Sequence, residues 1–188
     1  MREPPLPSQP LELVTLRLRL EPRGPQHAAR LFSPLRDQEL YRFIPQEAPD
    51  AVQPLVERYR RVAAGPPSAQ ERWWNWAALA RDDPEQALGT VETTLVDGGS
   101  RAVLAYMFAR AAWGRGLAYE ACQAVCEHLR TVTSVRVIEA SIDTRNTRSI
   151  ALVERLGFAC EQRVENADYF KGSPSDEFLF RLSLVKER

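Results

Sequence analysis

Two glycines flank an arginine in AAWGRGLAYEA, Ala111–Ala121, where an apolar run gives way to a helical pattern. A plain strand-to-helix turn needs one glycine at most. A helix opening around Arg115–Leu117 leaves its first N–H groups unpaired and carries partial positive charge there. Gly114 and Gly116 let an anion reach those groups without meeting a Cβ, so the turn reads as a phosphate cradle. A Walker loop would continue with Gly-Lys and then Ser or Thr, but Leu117 and Ala118 follow Gly116. A dinucleotide fingerprint belongs beside the first strand of a βαβ unit, and this turn comes after a run of strands. A glycine-rich turn can also be only a turn, and these residues alone leave both readings open.

Other chemistry-bearing residues are fewer. Cys122 and Cys126 lie four apart on the same predicted helix with His128 nearby. Helical spacing sets His128 off their line, so helix packing is preferred to a metal site and no metal is expected. Three cysteines, an odd count without a secretion signal, suggest reduced thiols in a cytoplasm. Lys and Arg total 25 and Asp and Glu total 25, which gives no electrostatic footprint for nucleic acid or an anionic membrane. No apolar stretch is long enough to span a bilayer. Residues 1–10, rich in proline, read as a disordered arm, and 11–188 as one domain.

The elements that must position the turn follow from periodicity. Leu16, Leu18 and Leu20 alternate with Thr15, Arg17 and Arg19, which predicts one strand over Leu11–Leu20. Gly24–Leu35 and Val52–Ala64 carry apolar residues at helical spacing, and Gly65-Pro66-Pro67 stops the second. Arg72–Ala80, Leu88–Asp97 and Arg101–Arg110 read as an antiparallel meander, with a hairpin at Asp97-Gly98-Gly99. Trp74 and Trp76 share one face of the first of these, where sheet packing is preferred to an aromatic cage. Leu117, Ala121, Val125 and Leu129 then form a helical stripe. Val135–Ile142 is a strand, Arg148–Leu156 a short helix with Gly157 at its C′ position, and 158–170 and 177–185 are closing strands.

Arg110–Ala121 resembles the acetyl-CoA motif W-G-x-G-x-A-x-E-A of the GNAT superfamily of N-acetyltransferases. NTRSIALVERLGF, Asn146–Phe158, is similar to that family's second segment, N-x-x-S ending in E-x-L-G-F. TLRLRL, Thr15–Leu20, and Leu88-Gly89 are similar to features of the RimJ/RimL-type branch. The resemblance implies an α+β fold: a mixed, mostly antiparallel sheet with helices on both faces, splayed between its fourth and fifth strands. It also implies that acetyl-CoA pairs like an extra strand with Met107, Phe108 and Ala109. The pyrophosphate would then lie on the turn formed by Gly114, Arg115, Gly116, Leu117 and Ala118, and Asn146 would contact the cofactor arm as well as cap its helix. The segment Gln38–Val52 would lie over the acceptor, with Tyr41 and Phe43 shaping an amine pocket.

The sequence departs from the family where many members place a glutamate base and a tyrosine acid: Val103 and Val153 stand there. Transfer to an amine needs alignment and a route for one proton. Ser141 and Glu92, with Asp143 beside the former, are the remaining candidates, acting through a relayed water. The resemblance thus implies direct acetyl transfer from acetyl-CoA to a primary amine, either a protein N-terminus or a small molecule, by a monomer or homodimer. Two rivals are a catalytically silent acyl-CoA-binding module and a protein that binds ATP on the glycine turn.

Overall fold

The computed structural model describes residues 9–184 other than Ala69, so most of the expected N-terminal arm lies outside the described residues; Pro10, at its end, is buried. The elements in chain order are β1 (Leu13–Val14), β2 (Leu18–Pro22), α1 (Ala28–Leu35), α2 (Val52–Ala63), β3 (Arg72–Ala80), β4 (Ala87–Val96), β5 (Arg101–Phe108), α3 (Leu117–Val132), β6 (Val137–Asp143), α4 (Thr147–Arg155), β7 (Ala159–Phe170) and β8 (Ser173–Ser183). The eight strands make one sheet in the order β1-β2-β3-β4-β5-β6-β8-β7. All neighbours are antiparallel except β5 and β6.

Period-two alternation divides the side chains between two apolar layers. Trp74, Trp76, Val91, Leu95, Leu104 and Phe108 point to the face covered by α3, where Ala121, Val125 and Leu129 complete the larger core. Ala77, Leu79 and Met107 point to the other face and pack against α1 and α2 through Leu31, Leu35, Leu55 and Tyr59. His128 belongs to the first layer. Its ring lies 5.7 Å from that of Trp74 and 6.2 Å from that of Trp76, and burial lowers its pKa.

The strand expected over Leu11–Leu20 is instead two short strands with a reversal between them. Thr15 Oγ1 accepts from the Leu18 N–H at 2.9 Å, and Leu16 is 81% exposed at the bend. The alternation that suggested one strand is real for Leu18 and Leu20, but Leu16 belongs to the turn. Its polar neighbours find their partner on α3, over a hundred residues away in sequence.

Gly89 shows how tightly β4 and β5 approach. A Cβ there would come 2.3 Å from the Met107 carbonyl oxygen and 2.8 Å from Phe108 Cγ. Contacts that short force a strand to shift. Gly89→Ala is therefore expected to cost about 1–3 kcal/mol of stability, read as a lower urea midpoint. A midpoint equal to wild type would show that the two strands have room to part.

Candidate active site

The parallel pairing of β5 and β6 runs only through Arg101↔Val137, Ala102↔Ile138 and Val103↔Glu139. Beyond Val103 the strands part while β5 continues to pair with β4 as far as Phe108. The Ala109 N–H donates to the Leu88 carbonyl at 2.8 Å, and the Met107 carbonyl lies against Gly89. Main-chain groups alternate along a strand, so Tyr106 and Phe108 present theirs to the gap. The expected edge of Met107, Phe108 and Ala109 is corrected accordingly: Phe108 faces the gap, and Met107 and Ala109 face β4. The Phe108 carbonyl accepts from Trp113 Nε1 at 2.8 Å, and the Tyr106 hydroxyl crosses the gap to the Ser149 carbonyl at 3.1 Å. Tyr106 and Phe108 thus retain main-chain groups for a ligand that can act as a strand.

The glycine turn stands at the end of this gap. Gly114 and Gly116 have φ of 70° and 73°, in the left-handed region that favours glycine. The N–H groups of Arg115, Gly116, Leu117 and Ala118 have no hydrogen-bond partner among the described residues, and the first helical bond runs from Glu120 N–H to the Gly116 carbonyl at 3.0 Å. Four free donors at the positive end of a sixteen-residue helix can hold a phosphate. Opposite, Asn146 Oδ1 accepts from Ser149 N–H at 3.3 Å and caps α4. The Arg148 guanidinium lies 4.3 Å over the Trp113 ring.

A latch fixes the turn from behind. Glu120 accepts from Thr15 Oγ1 at 2.6 Å, from Arg17 N–H at 2.8 Å and from Arg17 Nε at 2.6 Å. Arg17 Nη1 also donates to the Arg115 carbonyl at 2.8 Å. Partial burial alone would raise the Glu120 carboxyl, but these hydrogen bonds and the Arg17 charge outweigh it and hold the pKa below the usual range. The threonine and arginine of the first strand motif and the glutamate of the glycine motif are therefore one constellation.

On the α1/α2 face, a cavity of about 370 Å³ reaches the β5 edge at Ala105, Tyr106 and Met107. Glu92 stands on its floor, one strand from the gap, opposite Ala105 in register. Its carboxylate accepts from Arg23 Nη1 at 2.5 Å, and the Arg23 side chain is 2% exposed. Burial pushes the Glu92 carboxyl up, but the charge and hydrogen bond of Arg23, helped by Arg58, prevail and leave its pKa lowered. A carboxylate so stabilised is a weak base.

The other expected site residues disperse. Tyr41 lines the cavity, and its carbonyl accepts from Lys171 Nζ at the β7–β8 hairpin. Phe43 does not line it; the Arg42 guanidinium lies 5.2 Å from its ring, and Ile44 lines the wall instead. Ser141 is exposed on β6, on the same sheet face as Glu92 but across the gap and outside the cavity. Asp143 is 4% exposed and bound by Arg145 and Ser175, which hydrogen-bond its Oδ2 at 2.5 and 2.7 Å. Val103 is 36% exposed, and Val153 is fully buried in the larger core. Sequence reasoning missed Arg23 and Arg58, which carry no motif: Arg23 reaches the cavity from the end of β2, where its N–H donates to the Asn75 carbonyl on β3, and Arg58 reaches it from α2. No group of three or more His, Cys, Asp or Glu capable of holding a metal occurs among the described residues.

A three-residue parallel pairing that opens onto a glycine turn, with a cavity on one face, defines the class. The chain belongs to the GNAT acetyltransferase family, whose model, an acetyltransferase (GNAT) domain, matches residues 17–159. It is 31% identical over 101 residues to the uncharacterized N-acetyltransferase p20 of Bacillus licheniformis, a match over 53% of this chain and 57% of that protein. Among solved structures, it superposes on a ribosomal-protein-S5-alanine acetyltransferase from Vibrio fischeri with TM-score 0.79 at 13% identity, covering 93% of this chain and 97% of the other. It also superposes on the microcin C7 self-immunity acetyltransferase MccE, solved with acetyl-CoA and AMP, with TM-score 0.77 at 13% identity over 90% of this chain and 93% of that one. At such identities these structures establish the fold.

Gly116→Glu places a side chain and a negative charge beside the free N–H groups. It is expected to abolish acetyl-CoA binding in calorimetry while a cooperative melt persists. Normal binding by this variant would remove the phosphate from the turn. The cavity lining separates Tyr41 from Phe43 in the same way. Tyr41→Ala should raise the acceptor KM and leave acetyl-CoA affinity unchanged, whereas Phe43→Ala should change neither, and equal effects of the two would mean that both only support the loop.

Proposed function

We propose that this chain is an acetyl-CoA-dependent N-acetyltransferase that moves the acetyl group directly to a primary amine bound in the α1/α2 cavity. The observation that carries the reading is the meeting of three features at residues 105–108 of β5: unpaired main chain facing the gap, the glycine turn beyond it, and the cavity floor alongside. Acetyl-CoA would lie along the Tyr106–Phe108 edge with its pyrophosphate on the N–H groups of 115–118, bringing the thioester to the cavity. The amine nitrogen attacks the thioester carbon, the N–C bond forms, the C–S bond breaks, and the CoA thiolate takes up a proton. The proton lost by the amine leaves through water, ordered by Glu92 on the cavity floor or by Ser141 at the gap, because neither Val103 nor Val153 can accept one. A monomer or a homodimer is the expected assembly.

No helix among the described residues is long and apolar enough to cross a membrane. The three cysteines are free, two of them buried, which supports a reducing compartment such as the cytoplasm. Two assays test the reading: thiol release from acetyl-CoA over a panel of amines, and calorimetric titration with acetyl-CoA and with ATP. Acetyl-CoA binding without turnover of any amine would mark a silent binding module. ATP binding in its place would mark a nucleotide site.

Proton removal sets the pH dependence. Because the folded-state pKa of Glu92 is lowered, the stability from its ion pair is present above the unfolded carboxylate pKa and lost only as pH falls through the lower folded value. Glu92 is thus fully ionised at neutral pH, and the rate should climb with pH toward the pKa of the amine itself. Glu92→Gln, which can still accept from Arg23, is expected to retain turnover within about 10²-fold of wild type with the same rising profile. Complete loss with intact acetyl-CoA binding and an intact melt would make Glu92 a dedicated base.

A further inference from the structure

The α1/α2 cavity carries donors that acetyl transfer alone does not employ. Arg23 and Glu92 offset each other on its floor. Arg58 on α2 lines the cavity and has no hydrogen bond or ion pair among the described residues. Tyr41 and Tyr59, 4% and 2% exposed, line the same space. Neither hydroxyl has a hydrogen-bond partner among the described residues. Burial raises both phenols, that of Tyr59 to about 12, so both remain protonated donors. Both hydroxyls meet solvent in the cavity, whereas Arg23 Nε is sealed off without a partner among the described residues. A ligand that displaces the water must supply acceptors or forfeit about 1–3 kcal/mol for each donor. These two hydroxyls and the guanidinium of Arg58, a solvent-exposed residue that carries a full positive charge, form the complement of an anionic acceptor group. Leu35, Ile44, Pro54 and Leu55 make a large part of the wall apolar, beside the polar Gln46 and Thr90. Glu47, exposed at the loop and also without an ion-pair partner, is the one other uncompensated charge of the lining, and it favours a ligand that carries a cation as well.

We propose that the acceptor amine also bears a carboxylate, held by the Arg58 guanidinium with the Tyr41 and Tyr59 hydroxyls, while its amino group faces Ala105 and Glu92 at the β5 edge. The substrate class is therefore a free amino acid with an apolar side chain. A volume of about 370 Å³ fits one such molecule. A polyamine offers no acceptor to the three donors, and a peptide N-terminus carries an amide where the carboxylate would lie. The fate of the amino group rests on the acetyl-transfer reading; the carboxylate site rests on the cavity alone.

The test uses leucine, methionine and phenylalanine, each beside its amide and its decarboxylated amine, at equal concentrations of unprotonated amine. Thiol release from acetyl-CoA is measured, together with calorimetric binding of the same compounds to the acetyl-CoA-saturated protein. At least one free amino acid should exceed its two analogues by about 10–100-fold in kcat/KM and in affinity, the range for a charge-assisted hydrogen bond. Arg58→Gln should remove most of that preference, and Tyr41→Phe and Tyr59→Phe, which keep the rings, should each remove part of it. If amino acids bind preferentially through Arg58 but no thiol is released, the carboxylate site stands and the transfer reading falls. If amides or plain amines react or bind as well as the amino acids, or if the preference survives Arg58→Gln, the carboxylate site is overturned, whatever other amines are acetylated.

Discussion

Two parallel strands that part inside a folded protein leave main-chain donors and acceptors facing each other across a gap too wide for hydrogen bonds. That is the condition of β5 and β6 after Val103 and Glu139. Buried main-chain groups without partners are costly, so a fold that keeps such a gap needs both a scaffold that prevents closure and a ligand that completes the ladder. The scaffold is visible. Tyr106 props the gap by bonding to Ser149 on α4, and Trp113 closes its far end on the Phe108 carbonyl. β6 is committed on its other side to β8 over seven residues and cannot swing back.

The same constraint explains the latch on Glu120. A turn with two left-handed glycines and four free N–H groups has little to hold its own shape. Arg17 ties the Arg115 carbonyl to β2, and Glu120 gathers Thr15 and Arg17 onto α3. Arg17 is nearly half exposed, so the ion pair itself contributes little to stability. Its value is geometric: it fixes the turn relative to the sheet edge, so a molecule spanning both finds them at a constant spacing. On the opposite face, the Lys171 bond to the Tyr41 carbonyl ties the segment that lines the cavity to the β7–β8 hairpin.

Local signals carried much of this into the sequence. The strand Arg72–Ala80 has the bounds its alternation implies, Gly114 and Gly116 mark the turn, and Asn146 caps α4 as its residue type suggests. What stayed hidden depends on contacts distant in sequence. The break at Thr15–Arg17 is held by Glu120, and nothing local distinguishes Leu16 from Leu18. Arg23 and Glu92 are 69 residues apart, and only the pairing of β2, β3 and β4 brings them together. Which main-chain groups face the gap depends on the register with β4, a property that a stretch such as YMFA does not encode. Phe43 and Ile44 are equally apolar neighbours, and only loop geometry sends one to the cavity and the other beneath Arg42.

Amide hydrogen exchange, resolved by residue with and without saturating acetyl-CoA, tests most directly whether the gap and the turn hold the cofactor together. Slowed exchange is expected at Tyr106 and Phe108 and at Arg115–Ala118, with Ala109 unchanged because its N–H is already bonded to Leu88. Slowing confined to other segments, or none at these amides under saturation, would contradict the proposal that acetyl-CoA completes the parted strands.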